Sequence, residues 1–300
     1  MKHDSMIELA PRHKRGLALQ NPVMNASGVL GLGAEYRRLI DFTRLGAFVT
    51  NALTFSPRTP AHPPNAVLLP KGVMIHTGLP NPGIRAALRR RDQEWRRLGP
   101  PVIVHLAATT LSDVARSLER LDQAEGVSGI ELGLRDDETP GFAGRLIRAA
   151  VGGPPLVVRL PVLRAAELCD VAAQAGADAL TVGAPTRALA SPPDSFADPH
   201  NARRGREPSR ERVVAGRLYG PENFLVALTA LQSVAVKNLG LPLIGAGGIF
   251  SVENAMAMLD AGAAAVQVDA AIWIDPGLLD QFELELRARQ DANANSNFPL

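Results

Sequence analysis

Eight apolar runs of strand length recur along the chain, and segments with a helical spacing of apolar residues lie between them. Most of the runs are apolar throughout instead of alternating, which is typical of parallel strands that are covered on both faces. The pattern predicts strands at 22–27, 47–53, 102–107, 129–134, 156–161, 179–184, 241–248 and 264–271. It predicts helices between them, most clearly at 111–123, 164–176 and 251–262.

The ends of these segments agree with helix-capping chemistry. Ser251 precedes the last helix and is a favourable N-cap, because its hydroxyl can accept a hydrogen bond from a free backbone N–H. Gly176 and Gly262 stand where helices are expected to end. Strands and helices that alternate eight times over about 250 residues predict an α/β fold, the (β/α)8 TIM barrel. The alternative, a doubly wound sheet, needs fewer strands and a glycine-rich first turn that opens directly into a helix.

Two connections are far longer than the usual span of about 2–6 residues. They follow strand 2 (residues 54–81) and strand 6 (residues 185–221), at the strand ends where barrel enzymes build their sites. We therefore expect long, irregular loops with a functional role. Residues 1–300 are interpreted as a single barrel domain, with an N-terminal extension at 1–20 and a disordered tail at 290–300.

Composition narrows the function classes. The 32 Lys and Arg residues nearly balance the 30 Asp and Glu residues, so a net charge of +2 gives no field that would recruit nucleic acid or an anionic membrane. The single cysteine, Cys169, excludes an intrachain disulfide and a cysteine-based metal centre, and its position on an apolar helix stripe predicts a core residue. No apolar run approaches the roughly 18 residues that span a bilayer. We expect a cytoplasmic protein.

The glycine-rich turn in IGAGGIFSVENA (244–255) joins a predicted strand to the start of a helix. Free N–H groups at such a turn bind phosphate, although the same glycines also serve in tight turns without a ligand. His76 and His105 have no neighbouring Cys or paired carboxylates. They are therefore interpreted as hydrogen-bonded histidines, and the sequence predicts no metal site.

Several motifs resemble the dihydroorotate dehydrogenase family, particularly its soluble class 1 members. The opening NPVMNASGVLGLGAEY (21–36) matches the family's N-P-x-x-x-A-S-G-x-x-G-x-G-x-E-Y pattern, and TGLPNPG (77–83) is similar to its G-L-x-N-x-G turn. LGAFVTNALTFSPR (45–58) and PLIGAGGI (242–249) resemble its second strand and its flavin-phosphate loop. The resemblance implies a barrel that binds FMN, oxidises dihydroorotate to orotate and commonly forms dimers.

The resemblance also implies which residues would surround FMN. Ala26, Ser27 and Gly28 match the segment whose backbone lines the flavin, and Gly220 matches a glycine near the phosphate. Gly247 and Gly248 match the glycines of the phosphate loop. The alternative for all of these positions is that they maintain tight turns of the fold whether or not a ligand is present.

The departures from the family concentrate on chemistry. The family supplies a cysteine base in an N-x-S-C-P-N motif, where this chain has Gly133 at the first asparagine, Asp136 at the cysteine and Glu138 at the last asparagine. Asp136 and His76 are the candidate acid–base residues, although Asp136 on this polar loop also fits a solvated surface acid. Further substitutions remove polar groups that hold orotate. They are Asn51 at a lysine that in the family faces both flavin and substrate, Ile75 at an asparagine, and Gly183 with Ala184 at an Asn-Ser pair.

Two charged residues bear on the flavin itself. Arg159 stands at the family's strand-five lysine and keeps a positive charge with different geometry. Asp269 stands where a Gly-Thr pair offers N–H groups to the phosphate, so a carboxylate there should oppose FMN. We expect FMN binding to be weak or lost.

The favoured hypothesis is a dihydroorotate dehydrogenase-like barrel in which orotate-forming chemistry is lost or altered. One alternative is an active FMN-dependent oxidoreductase that acts on a different substrate. Another is a non-catalytic structural or binding subunit, and a third is a flavin-free enzyme that uses Arg159, Asp269, His76 and His105. The expected partners are an unidentified small molecule and either a second copy of the chain or a larger complex.

Overall fold

The computed structural model of the protein describes residues 6–33, 35–63, 65–183, 185–190, 213–282 and 284–286. Its strands are β1 Ile7–Glu8, β2 Ala18–Leu19, β3 Val23–Asn25, β4 Phe48–Val49, β5 Ala66–Leu69, β6 Gly72–Ile75, β7 Val102–Leu106, β8 Gly129–Gly133, β9 Leu156–Leu160, β10 Ala179–Val182, β11 Arg187–Ala190, β12 Val214–Tyr219, β13 Leu243–Ala246 and β14 Ala265–Val268. The helices are α1 Ile84–Trp95, α2 Leu111–Asp122, α3 Pro140–Ala149, α4 Ala165–Ala175, α5 Asn223–Ala235, α6 Val252–Asp260 and α7 Ala271–Ile274. Short 3₁₀ helices cover Phe42–Arg44 and Val162–Arg164.

The predicted (β/α)8 barrel is confirmed. Eight strands form one sheet in the order β3-β14-β13-β10-β9-β8-β7-β4, and each hydrogen-bonded pair in it is parallel. A parallel bridge between Met24 and Ala47 joins the two end strands and closes the sheet. All eight predicted strand segments contain one of these strands, because each is an apolar run that both the barrel interior and the helix layer cover.

The predicted helix ends are also confirmed. The Ser251 hydroxyl accepts a hydrogen bond from the Asn254 N–H at the start of α6. Gly176 caps α4 with a φ of 102°, and Gly262 follows α6 with a φ of 103°. Cys169 lies fully buried on α4, as its apolar surroundings in the sequence indicated.

A hairpin that precedes the first barrel strand closes the N-terminal end of the barrel. Strands β1 and β2 pair antiparallel. Leu9, Leu17 and Leu19 are fully buried there and pack in one cluster with barrel residues such as Met24 and Val49. In the described part of the predicted N-terminal extension, residues 6–20, the chain thus forms a hairpin that packs against the barrel.

The two long connections after strands 2 and 6 are confirmed, and parts of them form strands that the sequence analysis did not predict. Strands β5 and β6 come from the first connection and β11 and β12 from the second, and together they form an antiparallel sheet in the order β11-β12-β6-β5. Ala184, residues 191–212 and the predicted disordered tail at 290–300 lie outside the described residues. In the described part of the chain, no helix combines the length and the apolar character needed to cross a bilayer.

Candidate active site at the barrel mouth

A ladder of polar side chains occupies the middle and the C-terminal end of the barrel interior. Strand register places His105 on β7 opposite Glu131 on β8, and Gly133 on β8 opposite Arg159 on β9. Arg159 in turn lies opposite Thr181 on β10. Since successive side chains of a strand point to opposite faces, these residues alternate with the apolar ones that face the helices.

Glu131 is the centre of this ladder and is fully buried. Its carboxylate accepts hydrogen bonds from His105 Nδ1 at 2.6 Å, the Thr181 hydroxyl at 2.8 Å and Gln267 Nε2 at 2.6 Å. Burial by itself would raise the pKa of Glu131, but the contact with His105, the charge of Arg159 and the Gln267 amide outweigh it and lower the pKa to about 2. Glu131 is therefore an ionised carboxylate that is buried and stabilised by hydrogen bonds from the protein.

The imidazole of His105 lies in the space that a side chain at residue 133 would otherwise fill. A Cβ atom added at Gly133 would lie 2.9 Å from His105 Nε2, which is too close for a real contact. The imidazole therefore occupies this position because residue 133 has no side chain. Its Nδ1 faces Glu131 while its Nε2 is left for other partners, which confirms the interpretation of His105 as a hydrogen-bonded histidine.

Arg159 is a buried cation with few partners. The residue is 8% exposed, and its Nη1 lies 3.9 Å from the Glu131 carboxylate, too far for a hydrogen bond. Its Nε is buried without a hydrogen-bond partner. The guanidinium therefore enters the barrel mouth with unused donors.

Asp269 follows β14 and is 1% exposed. Neither of its carboxylate oxygens accepts a hydrogen bond. Burial raises its pKa to about 6, and the nearby amides of Ala270 and Gly248 and the charge of Arg159 offset part of this effect. The side chain thus lies beside the glycine-rich turn that the sequence marked as a phosphate site.

The glycines at that turn are required by packing alone. A Cβ on Gly247 would lie 2.2 Å from the Gly183 carbonyl oxygen, and one on Gly248 would lie 2.3 Å from the Phe224 nitrogen. Gly220 packs in the same way, with its Cβ position 2.7 Å from the Lys71 carbonyl oxygen. Each of these positions therefore has a structural reason for glycine that does not involve a ligand.

The segment after β3 lies next to Asp269. The Ala26 N–H donates to the Val268 carbonyl at 2.7 Å, and Ser27 after it is buried. Gly28 is exposed and has a φ of 97°. Asn51 on the neighbouring strand end uses its side-chain oxygen to accept a hydrogen bond from the Gly31 N–H at 3.1 Å.

In the described part of the chain, neither candidate acid–base residue is a hydrogen-bond partner of Glu131. Both oxygens of Asp136 contact the Arg217 guanidinium, at 2.6 and 3.2 Å, so Asp136 is half-buried and paired with β12 instead of being a freely solvated acid. His76 follows β6 in the small sheet and is exposed. Its backbone N–H donates to the Asn65 carbonyl at 2.7 Å.

Comparison with known proteins shows sequence similarity over most of the chain. A family model described as dihydroorotate dehydrogenase matches residues 12–143 and 202–289. The dihydroorotate dehydrogenase B (NAD(+)), catalytic subunit, of Pelobacter propionicus is 33% identical over 290 residues, which cover 92% of this chain and 90% of that protein. The protein of the same name from Desulforudis audaxviator is 33% identical over 280 residues, which cover 87% of this chain and 86% of that protein.

The chain belongs to the dihydroorotate dehydrogenase family. Two motifs carry the resemblance to the dihydroorotate dehydrogenases, namely the opening motif and the TGLPNPG turn. Both contain side chains that hydrogen-bond to the backbone of their own loops. Glu35 accepts a hydrogen bond from the Gly33 N–H at 2.6 Å. Asn81 accepts from the Gly83 N–H at 2.9 Å and donates to the Leu79 carbonyl at 2.9 Å. These family motifs hold loops at the rim of the barrel.

FMN is the cofactor that the resemblance to dihydroorotate dehydrogenases implies, and the residues at the phosphate end do not fit it. A phosphate at the Gly247–Gly248 turn would face the buried Asp269 carboxylate. Two unit charges about 5 Å apart repel by about 3 kcal/mol at an effective dielectric constant near 20. Arg159 keeps the charge of the family's strand-five lysine, whereas the end of β14 does not suit a phosphate.

Four residues of this dihydroorotate dehydrogenase-family site were not singled out from the sequence. They are Glu131, Thr181, Gln267 and Tyr219. The first three are polar residues inside apolar strand segments, a signal that was available in GIELGL, ALTVGA and AAVQVDAA. Tyr219 ends β12, and burial raises its pKa while the charges of Arg159, Asp269 and Arg217 also act on it. Only the pairing of the two long connections brings Tyr219 to the mouth.

Proposed function

We propose that this chain is a divergent member of the dihydroorotate dehydrogenase family in which orotate-forming chemistry is lost or altered. The observation that carries the proposal is the Asp269 carboxylate, which is buried at the end of β14 beside the Gly248 amide and receives no hydrogen bond from another side chain. A negative charge in this position opposes the phosphate of FMN. Weak or absent FMN binding would remove the electron acceptor on which the family's reaction depends.

The state of the candidate base supports the same proposal. A general base needs a free lone pair within reach of the proton that it removes. Both oxygens of Asp136 are instead engaged by Arg217, and Gly133 offers no side chain at the position of the family's first asparagine. Asn51 likewise supplies no cation, and its side-chain oxygen is used by the Gly31 amide.

A second candidate function is an active FMN-dependent oxidoreductase that acts on a different substrate. Arg159 supports it, because a buried cation in the barrel would stabilise negative charge on a reduced flavin. The names of the relatives from Pelobacter propionicus and Desulforudis audaxviator, which are catalytic subunits, support it as well. On this alternative the phosphate end would bind FMN despite Asp269.

The same names lead to a proposal about partners. Proteins called catalytic subunits work with at least one further subunit, and this chain, as a relative, is proposed to do the same. A non-catalytic role within such a complex and a homodimer are the alternatives. Co-purification of the tagged chain from its native host, followed by mass measurement of the assembly, distinguishes a second subunit from a second copy.

The experiment that tests the proposed function is an FMN titration of the purified protein, followed by visible absorbance and flavin fluorescence. We expect a colourless protein whose affinity for FMN rises about 100-fold in the Asp269→Asn variant, since about 3 kcal/mol of repulsion is removed. Glu119→Gln, which removes an exposed carboxylate from α2, is the matched control and should leave the affinity unchanged. A wild-type protein that purifies with stoichiometric FMN and produces orotate from dihydroorotate would contradict the proposal.

A further inference from the structure

The contact between His105 and Glu131 fixes which imidazole nitrogen carries the proton. Glu131 is buried and its pKa is lowered to about 2, so it is ionised and has no proton to donate. Its Oε2 lies 2.6 Å from His105 Nδ1, and this hydrogen bond therefore requires the hydrogen on Nδ1. A neutral imidazole has one N–H only, so Nε2 carries a lone pair. A carboxylate in this position also stabilises the imidazolium that forms when Nε2 accepts a proton.

The imidazole is held from two sides, and its Nε2 stays accessible. The backbone N–H of His105 donates to the Thr50 hydroxyl at 3.2 Å, and its carbonyl accepts from the Leu53 N–H at 2.8 Å. On the other side, Nε2 lies 2.9 Å from the point where a Cβ of Gly133 would stand. Within the described residues Nε2 has no hydrogen-bond partner, and the side chain keeps 10% of its exposure. A small molecule at the mouth can therefore reach Nε2 without displacing another contact.

Three carboxylates compete with His105 for the role of proton acceptor. The oxygens of Glu131 already accept three hydrogen bonds, and those of Asp136 both contact Arg217. Asp269 receives no hydrogen bond from another side chain, but both of its oxygens are buried. His105 is thus the group beside Glu131 that combines a fixed lone pair with access from the mouth.

Arg159 supplies the charge that a proton acceptor needs on the other side of its substrate. Its Nη1 lies 3.9 Å from the Glu131 oxygen that holds His105, and its Nε has no partner. Gly133 lies opposite Arg159 in the strand register. An oxygen that becomes negative when a neighbouring C–H loses its proton would accept hydrogen bonds from this guanidinium. Above about pH 6 the ionised carboxylates of Glu131 and Asp269 outnumber the charge of Arg159, which favours a substrate that starts neutral.

We propose that His105 is the proton acceptor of this site, and that Glu131 positions it, for a neutral substrate with an acidic C–H beside a carbonyl group. The C–H bond breaks, its electron pair stays on the substrate as an enolate, and the proton forms a bond to Nε2. Arg159 stabilises the enolate oxygen and Glu131 stabilises the imidazolium. The transfer needs no electron acceptor. The inference rests on the proposed function in one respect, because it gives the altered chemistry a base that the family's cysteine position no longer supplies.

The first test is the protonation state of His105 in the full-length protein labelled with ¹⁵N-histidine. At a pH well above the one at which imidazole ordinarily titrates, NMR should show a proton on Nδ1 and none on Nε2. This is the reverse of the tautomer that free histidine favours, and His62, which is exposed, is the reference. The His105→Gln variant identifies the resonances. A proton on Nε2 at this pH would overturn the proposal, because Nε2 would then be a donor.

The second test is the exchange of the C1 protons of nitroethane in D2O, followed by ¹H NMR. Nitroethane is a small, neutral carbon acid whose nitro oxygens take up negative charge as a carbonyl oxygen does. We expect His105→Gln to lower the protein-catalysed rate about 100-fold. His62→Gln, which removes an exposed histidine, is the matched control and should leave the rate unchanged. Equal rates in wild type and His105→Gln would overturn the proposal.

A pH profile of the exchange separates a positioning role of Glu131 from a structural one. Glu131→Gln should lower the rate and move the profile to lower pH, because the imidazolium loses its counterion. The charged groups around the imidazole are Glu131 on β8, Arg159 on β9 and Asp269 after β14. Burial raises the pKa of Asp269 to about 6, so the profile is repeated in Asp269→Asn, where it should persist.

Circular dichroism checks that each variant is folded. If Glu131→Gln does not fold, Arg159→Gln takes its place and should lower the exchange rate, because the negative oxygen loses its counterion. An unchanged rate and profile in a folded Glu131→Gln variant would overturn the positioning role.

The outcomes separate this inference from the proposed function. A colourless protein whose exchange does not depend on His105 would overturn the inference alone. A protein that purifies with stoichiometric FMN, makes orotate and still shows exchange that depends on His105 would overturn the proposed function alone.

Discussion

The two ends of the barrel interior differ in the kind of side chain that they bury. At the N-terminal end, the β1–β2 hairpin covers Leu9, Leu17 and Leu19, which pack with Met24 and Val49 into a wholly apolar cluster. At the C-terminal end, the interior holds Arg159 and Asp269 with polar atoms that have no partner. Burial of apolar area stabilises the first end, whereas burial of unpaired charge opposes folding at the second. The difference indicates that the mouth has been shaped by something other than stability.

The largest effect should come from the apolar end. Leu19→Ala removes a fully buried side chain and leaves a cavity, so we expect the free energy of unfolding to fall by about 3–4 kcal/mol. Urea denaturation measures it. Leu225→Ala, at a side chain that is 71% exposed, serves as the control and should change stability by less than about 0.5 kcal/mol. Equal effects of the two substitutions would show that the hairpin does not close the barrel.

Substitution of Glu131 at the polar end should destabilise the protein almost as much as Leu19→Ala at the apolar end. Glu131→Gln keeps the shape but removes the charge that faces His105 and Arg159, so stability should fall by about 3 kcal/mol. The pKa of Glu131 is lowered to about 2 from the ordinary 4.5, so its contribution is present above pH 4.5 and is lost as the pH falls towards 2. Urea curves between pH 2 and pH 7 check both statements. A variant as stable as wild type at pH 7 would contradict them.

Asp269 should behave in the opposite sense. Its pKa is raised from 3.8 to about 6, so the folded protein holds this proton more tightly than the unfolded chain. Stability therefore falls as the pH rises from about 4 to 6 and stays lower above that range. Asp269→Asn should increase the free energy of unfolding at pH 8 by about 2–3 kcal/mol and change it little at pH 4. The difference between the variant and wild type, measured at both pH values, is the observable, and a loss of stability at pH 8 would refute the prediction.

The smallest effect is expected between the barrel and the small sheet. Asp136 and Arg217 form a two-point ion pair, but their side chains are 27% and 37% exposed. Water and salt screen such a pair, so Arg217→Met should lower stability by no more than about 1 kcal/mol, and less at high salt. Urea denaturation with and without about 0.5 M NaCl tests this. A salt-independent loss of several kcal/mol would show that the pair is much better shielded than its exposure indicates.

The sequence predicts the barrel well because the barrel is encoded locally. Each strand is a short apolar run, and Ser251 and Gly176 mark helix ends through contacts with their own neighbours in the chain. The four-stranded sheet was missed because its central pair joins residues 73–75 to 217–219, and no local pattern reveals such a pairing. The position of Tyr219 at the mouth was lost with it.

The site was predicted only in part, for a related reason. Arg159 and Asp269 were identified by resemblance, as departures from a family pattern, and both lie at the mouth. Glu131 was overlooked because it was read as one member of an apolar strand, although a carboxylate can be buried there only if other strands supply donors. Those donors, Thr181 and Gln267, come from strands 50 and 136 residues away in sequence. Long-range partners of this kind are visible only after the barrel has closed.

The close contact between Gly133 and His105 limits how this protein can be altered. Because a side chain at residue 133 would meet the imidazole, installing the family's asparagine there by itself should push His105 out of its place beside Glu131. Residues 133 and 105 should therefore be exchanged in the same step. Substitutions at residues 133 and 105 depend on each other, so a mutant library that varies one of these positions at a time would miss compatible pairs.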